Sequence, residues 1–193
     1  MAIVRTVAVF CGASSGADPV FRRATATLGQ RLAEAGIGVV YGGGQVGLMG
    51  VLANAVLAAG GRIAGVIPEM LVRPEIAHPG LAGLIVTRDL ASRKQRMFDL
   101  ADAFIALPGG IGTLDETIEM LTWRQLGLHA KPVLICDVRG SAASFSACIE
   151  SVVRQGFAEP RVYDFFEVLP GVEAVLARLQ ATPVTKRSSQ WTL

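Results

Sequence analysis

The chain has 193 residues, of which 51% are hydrophobic and 6% aromatic, with 22 glycines and a formal net charge of +2. That length suits one α/β domain with a sizeable core, and the mix suits a parallel sheet covered by Ala/Leu-rich helices with glycines at the turns. Basic residues are scattered apart from Arg93, Lys94 and Arg96, so nothing in the charge demands nucleic acid or an acidic membrane as partner.

Strand-like apolar runs alternate with helix-like segments along the chain. The first ten residues resemble a short signal peptide, but the apolar stretch runs into a Gly/Ser turn and reads better as a buried strand over 7–10. A helix is predicted over 19–35 from the spacing of Phe21, Leu28 and Leu32, closed by Gly36. Next come a strand over 37–41, a helix over 47–59 and a strand over 62–67. Residues 68–83, rich in Pro and Gly, read as an irregular connection. A strand over 84–87, a helix over 89–101, a strand over 103–107 and a helix over 112–126 follow. The remainder reads as a strand over 132–136, a helix over 142–155, an edge strand over 165–169 and a closing helix over 172–180.

This alternation implies parallel strands joined by right-handed crossovers, a doubly wound α/β fold in a single domain over 1–180. The polar residues 181–193 read as a C-terminal tail that frays. No apolar run is long enough to span a bilayer. Cys11, Cys136 and Cys148 are too few and too spread for a disulfide framework or a metal site, with only His78 and His129 to help them. They read as reduced, buried thiols of a cytoplasmic protein.

Ligands of such sheets sit beyond the carboxyl ends of the strands, and three of these turns are rich in glycine. They are Cys11-Gly12-Ala13-Ser14-Ser15-Gly16, Gly42-Gly43-Gly44-Gln45-Val46-Gly47 and Pro108-Gly109-Gly110-Ile111-Gly112-Thr113. Glycine lets a ligand approach the main chain closely, and a following helix N-terminus offers unpaired N–H groups to phosphate. The second turn matches G-x-G-x-x-G as Gly42, Gly44 and Gly47. A dinucleotide fingerprint normally sits on the first strand with an acid at the end of the next. Here the turn follows the second strand, and Glu69 lies past Pro68, so tight backbone packing competes with NAD binding. The third turn lacks the lysine of a Walker A loop but offers backbone donors and the Thr113 hydroxyl to one phosphate.

Glu116 follows that turn. Thr113-Leu114-Asp115-Glu116 fits a capping box, which would explain Glu116 without any chemistry. The preceding helix alters the balance. Leu90, Arg93, Met97 and Leu100 share one face at three- and four-residue spacing. Arg93 thus falls on an apolar stripe, where its guanidinium needs an anionic partner or must snorkel to water. Lys94 and Arg96 belong to neighbouring, solvated faces, with Lys94 near enough to the helix start to reach a ligand. The helices around Met97 and Met120 are either dimer surfaces or core.

Pro108-Gly109-Gly110-Ile111-Gly112-Thr113-Leu114-Asp115-Glu116 resembles the P-G-G-x-G-T-x-x-E signature of the LONELY GUY (LOG) family, long labelled possible lysine decarboxylases. Arg93-Lys94-Gln95-Arg96-Met97 is similar to its R-K-x-x-M signature. The likeness continues in Phe10-Cys11-Gly12-Ala13-Ser14, Tyr41-Gly42-Gly43-Gly44, Gly47-Leu48-Met49-Gly50, Gly65-Val66-Ile67-Pro68 and Leu121-Thr122-Trp123, in the family's order. The chain departs from many members just before the R-K pair, where it carries Leu90-Ala91-Ser92.

The resemblance implies a Rossmann-like fold, a homodimer, and a small-molecule nucleotide as partner with no cofactor and no metal. The implied activity is hydrolysis of cytokinin riboside 5′-monophosphates, and of AMP, to free base and ribose 5-phosphate. It implies Arg93 and Glu116 as catalytic pair. Implied substrate contacts are Glu75, Lys94, Thr122 and the run Gly109, Gly110, Ile111, Gly112, Thr113, Leu114, Asp115, with Ser14 and Gly43 from the other two turns. Cleaving an N-glycosidic bond builds positive charge on the ribose. A carboxylate beside it stabilises that charge and activates water, the role expected of Glu116. The 5′-phosphate is expected on the 109–113 backbone, with Arg93 orienting Glu116 and substrate and Glu75 binding ribose hydroxyls or the base edge.

Two other readings compete. Lysine decarboxylation would need pyridoxal phosphate on a Schiff-base lysine, for which the chain has only Lys94, Lys131 and Lys186. A non-catalytic nucleotide or molybdenum-cofactor carrier would keep the glycine turns but need neither Arg93 nor Glu116.

Overall fold

The computed structural model describes residues 2–72, 77–181 and 183–184. The chain opens with β1 (Ala2–Ile3) and β2 (Thr6–Phe10), then α1 (Pro19–Glu34), β3 (Gly38–Tyr41), α2 (Gly47–Ala58) and β4 (Ile63–Pro68). After a single 3-10 turn come β5 (Leu84–Thr87), α3 (Leu90–Leu100), β6 (Ala103–Ala106), α4 (Ile111–Gln125) and β7 (Val133–Asp137). The chain continues through α5 (Ala143–Arg154), a second 3-10 segment, β8 (Glu167–Pro170), α6 (Gly171–Gln180) and β9 (Pro183–Val184).

Seven strands form one parallel sheet in the order β5-β4-β3-β2-β6-β7-β8. Its strands read as apolar runs because both faces are covered. Val7, Val9, Val39, Tyr41 and Ile105 point to one face, where Leu28, Leu32, Leu52 and Leu176 of α1, α2 and α6 pack. Ala8, Phe10, Val40 and Phe104 point to the other, under Met97, Met120, Phe145 and Ile149 of α3, α4 and α5. The fold is therefore the expected doubly wound, Rossmann-like α/β sheet. Each large side chain fully removed from water on these faces contributes about 1.5–3 kcal/mol.

Several expectations change. Met97 and Met120 are core residues, 1% exposed, while α4 keeps Ile111, Leu114 and Ile118 at the surface on another face. Leu90 is half exposed, Arg93 is partly buried, and the fully buried residues of α3 begin at Met97. Cys11 and Cys136 are buried but Cys148 is exposed, because α5 buries only Phe145 and Ile149. Pro183–Val184 of the polar tail pairs antiparallel with Ala2–Ile3. The rest of that tail beyond Ala181 lies outside the described residues, as does Glu75. No described helix is long and apolar enough to cross a membrane.

Candidate functional site

The chain moves outward from β2 through β3, β4 and β5, then returns to β6 on the other side of β2. The sheet therefore reverses direction between β2 and β6, where a crevice opens beyond the strand ends. The three glycine turns meet there. The Gly12 N–H donates to the Pro108 carbonyl at 3.1 Å, and the Gly12 carbonyl accepts from the Leu48 N–H at 3.0 Å. Packing between the first and third turns excludes any side chain. A Cβ on Gly109 would stand 2.1 Å from Thr113 Oγ1 and 2.9 Å from the Gly12 nitrogen.

The third turn ends in α4, whose cap is Gly110 with no side-chain hydrogen bond. Its first turn is open: Ile111 is 81% exposed, and a Cβ on Gly110 or Gly112 would meet nothing within 4 Å. The first N–H groups of a helix have no intrahelical acceptor, so this terminus presents donors and a partial positive charge to the crevice. Thr113 is buried against Gly109, and its carbonyl accepts from the Thr117 hydroxyl at 2.7 Å. A cleft lined by Pro108, Gly109, Thr113, Ser141 and Phe145 runs beside it.

Because α4 starts at Ile111, Glu116 lies in its second turn, beyond reach of the first-turn N–H groups, and the capping box does not form. A capping box does form on α3, between Asp89 and Ser92. It fixes the start of the helix that carries Arg93. Arg93 Nη2 stands 2.9 Å from Glu116 Oε1, with the two side chains 16% and 9% exposed. The guanidinium lies across the end of β3, where a Cβ on Gly42 would come within 2.4 Å of Nη2. Arg93 Nε is buried without a hydrogen bond among the described residues.

Burial pushes the Glu116 carboxyl up, to about 7; Arg93 opposes this, Asp115 adds to it, and Lys94 and Glu119 act less strongly and in opposite senses. The Cys11 thiol at the end of β2 is raised above its ordinary value by burial and then by Glu116, which makes it a structural neighbour and not a nucleophile.

Lys94 is not solvated as expected. Its ammonium pairs with Asp115 and Glu119, each at 3.0 Å. Burial alone would favour the neutral amine, but Glu119 and Asp115 outweigh it and hold the ammonium charged. Arg96 is exposed as expected. Ser14 is exposed at the first turn, its hydroxyl accepting from the Gly16 N–H at 3.4 Å. Gly43 is buried, and its carbonyl accepts from the His78 N–H at 2.9 Å. Ala77 bridges Gly44, so the chain at Ala77 lies beside the second turn. That turn is spent on packing: a Cβ on Gly47 would strike Ala13 at 2.3 Å. Leu114 and Asp115 are exposed on α4. Thr122 is exposed six residues beyond Glu116, its hydroxyl donating to the Ile118 carbonyl at 2.9 Å, and this chain does not bring it to the pair.

Sequence reasoning missed Gly42 as the seat of Arg93, and Glu119. The second carried a signal: two cations in sequence on one helix, and three acids within two turns on the next.

Glycine turns converging at the switch point of a doubly wound sheet, over a buried carboxylate–guanidinium pair, define a Rossmann-like protein built to hold a small anionic ligand. The family model described as "Possible lysine decarboxylase" matches residues 49–179. Cytokinin riboside 5′-monophosphate phosphoribohydrolase LOG7 of Arabidopsis thaliana is 41% identical over 176 residues, covering 91% of this chain and 81% of that protein. The cytokinin riboside 5′-monophosphate phosphoribohydrolase of Rhodococcoides fascians is 41% identical over 178 residues, covering 92% and 90%. The chain belongs to the LOG family of phosphoribohydrolases. Among solved structures, a molybdenum cofactor binding protein from Rippkaea orientalis superposes with a TM-score of 0.68 at 21% identity, covering 91% of this chain and 95% of that one. The Moco carrier protein of Chlamydomonas reinhardtii gives 0.67 at 20%, covering 90% and 94%. At that identity the likeness is one of fold.

The lysines do not fit the Schiff base that a pyridoxal-dependent decarboxylase needs. Lys94 is held as an ammonium between two carboxylates, and Lys131 Nζ donates to the Phe98 carbonyl and lies 3.8 Å from the Phe98 ring centre. Lys186 lies outside the described residues.

Proposed function

We propose that this protein hydrolyses the N-glycosidic bond of cytokinin riboside 5′-monophosphates, and of AMP, releasing the base and ribose 5-phosphate. The observation that carries the reading is the pair of buried Glu116 and partly buried Arg93, 2.9 Å apart, beside the uncapped start of α4. In this reading the 5′-phosphate takes the backbone N–H groups of residues 111–113, with Gly109 and Gly110 allowing its approach. Glu116 faces the ribose, opposes the positive charge that grows as the C1′–N bond electrons leave with the base, and accepts a proton from the attacking water. Arg93 fixes the carboxylate's orientation. Glu75, Ser14, Gly43, Lys94, Leu114 and Asp115 complete the proposed substrate surroundings. The free thiols Cys11, Cys136 and Cys148 fit a reducing, cytoplasmic setting.

The test is incubation of the purified chain with AMP and with isopentenyladenosine monophosphate, followed by chromatography of the bases. Release of base with ribose 5-phosphate is expected, and bound but uncleaved nucleotide would favour a carrier. Because the working form is the carboxylate and its proton leaves near pH 7, kcat/KM is expected to rise with pH through that region. A flat profile between about pH 5 and 9 would remove Glu116 as the titrating base.

The working form is a homodimer in this reading. Ile111, Leu114 and Ile118 are 81%, 42% and 40% exposed, at i, i+3 and i+7 along one face of α4, and Thr122 continues that face. Such a row on a soluble surface marks an interaction site. Seating a second copy there explains why a residue matching a substrate contact is turned away from Glu116 of its own chain. Ile118→Arg is expected to halve the mass measured by light scattering and to lower activity at least tenfold. A dimer of unchanged mass would place the interface elsewhere.

A further inference from the structure

Asp115 and Glu119 lie one turn apart on α4 and converge on a single ammonium, Lys94 Nζ, at 3.0 Å each. Glu119 Oε2 is buried, with the Lys94 ammonium 3.0 Å away. Clamping α3 to α4 needs only one of these carboxylates. The second has a consequence one turn away. Glu116 pairs with Arg93 of α3 and lies within electrostatic range of Lys94 on the same helix as Arg93, of Asp115 and Glu119 on α4, and of the Cys11 thiol just beyond β2. Three carboxylates thus share two cations in a partly buried cluster, where charges interact more strongly than in water.

We propose that Glu119 is a positioning residue of this site: three residues beyond Glu116 on α4 and 3.0 Å from Lys94 Nζ, it takes a share of that ammonium and so tempers its pull on the Glu116 carboxylate. Its kinetic consequence rests on the reading of Glu116 as the carboxylate that meets the ribosyl ring; its electrostatic part does not. Removing the Glu119 charge acts twice in the same direction. It withdraws a negative charge near Glu116, and it leaves the Lys94 charge less neutralised. Both favour the Glu116 carboxylate.

The test replaces Glu119 with glutamine, which keeps the shape. The Glu116 side-chain carboxyl is followed by carbon-13 NMR in the full chain, its signal assigned by its loss in Glu116→Gln. Its midpoint is expected to fall by about half a unit or more in Glu119→Gln. The acidic limb of kcat/KM should move with it, so that the share of plateau activity kept at pH 6 rises about two- to threefold. Glu119→Asp should restore the original profile in part. A midpoint unchanged while thermal stability drops would make Glu119 a strut between helices and overturn the proposal. A midpoint that moves in a chain that hydrolyses no nucleotide would uphold the electrostatic role and sink only the proposed activity.

Discussion

Glu116→Gln is expected to lower kcat for nucleotide hydrolysis by about a thousandfold or more while nucleotide binding is largely kept. Glutamine matches the size of the carboxyl and still offers Arg93 an oxygen at the position now 2.9 Å from Nη2. It cannot carry the negative charge that meets the developing charge on the ribose, nor take a proton from water. The proposed phosphate seat, at the backbone of residues 111–113, is untouched by the change, so AMP should bind with nearly the same affinity in a calorimetric titration. The variant should also lose the acidic limb near pH 7, because that limb belongs to the missing group. Folding should suffer modestly, by about 1–3 kcal/mol, since a buried guanidinium then faces a neutral amide. Wild-type turnover in this variant would remove Glu116 from the chemistry.

Much of the fold was legible because its strands are buried on both faces. Runs such as 103–107 and 132–136 stand out as continuous apolar stretches between polar turns, and the structure alters their ends by a residue or so. The start of α4 was not legible. Gly110-Ile111-Gly112 carries no capping side chain and reads as loop, so the helix was expected from residue 112 and a capping box from Thr113. The helix begins at Ile111 because packing of Gly109 on Gly12 and Thr113 aims the backbone, a tertiary cause with no local mark. Two-residue strands such as Ala2–Ile3 and Pro183–Val184 are too short to show a period.

The site divides in the same way. An arginine on an apolar stripe announces that it needs an anion, but spacing along α3 cannot say which anion, since the partner sits on another helix. The family resemblance supplied Glu116, and the 2.9 Å contact is its geometric counterpart. The partners of Lys94, Asp115 and Glu119, likewise lie across a helix–helix contact, which the spacing along α3 does not show. Thr122 shows the reverse: a motif position that one chain leaves away from its own pair.

Gly42→Ala is expected to abolish most activity without unfolding the protein. Gly42 lies outside the left-handed region, so its backbone accepts alanine. What the new Cβ meets is Arg93 Nη2 at 2.4 Å and Met49 Sδ at 3.0 Å, both outer atoms of flexible side chains. Neither is backbone, so the fold yields locally, at about 1–3 kcal/mol. Gly50→Ala is the contrasting case: its Cβ would press on the Gln45 carbonyl oxygen at 1.9 Å, and the second turn itself would have to move. In Gly42→Ala the guanidinium must swing off its seat, and a shift of about 1 Å at a catalytic group costs on the order of a hundredfold in rate. Glu116, left buried with a weakened partner, should hold its proton to higher pH, because the opposing pull of Arg93 is what restrains the effect of burial. The acidic limb of kcat/KM is therefore expected to move upward, opposite to its movement in Glu119→Gln. A double-mutant cycle separates this cause from a general loosening of the turn. In an Arg93→Ala background the alanine at position 42 has nothing left to displace, and its further effect on kcat should be small. Additive losses would mean that Gly42 acts on the turn and not through Arg93.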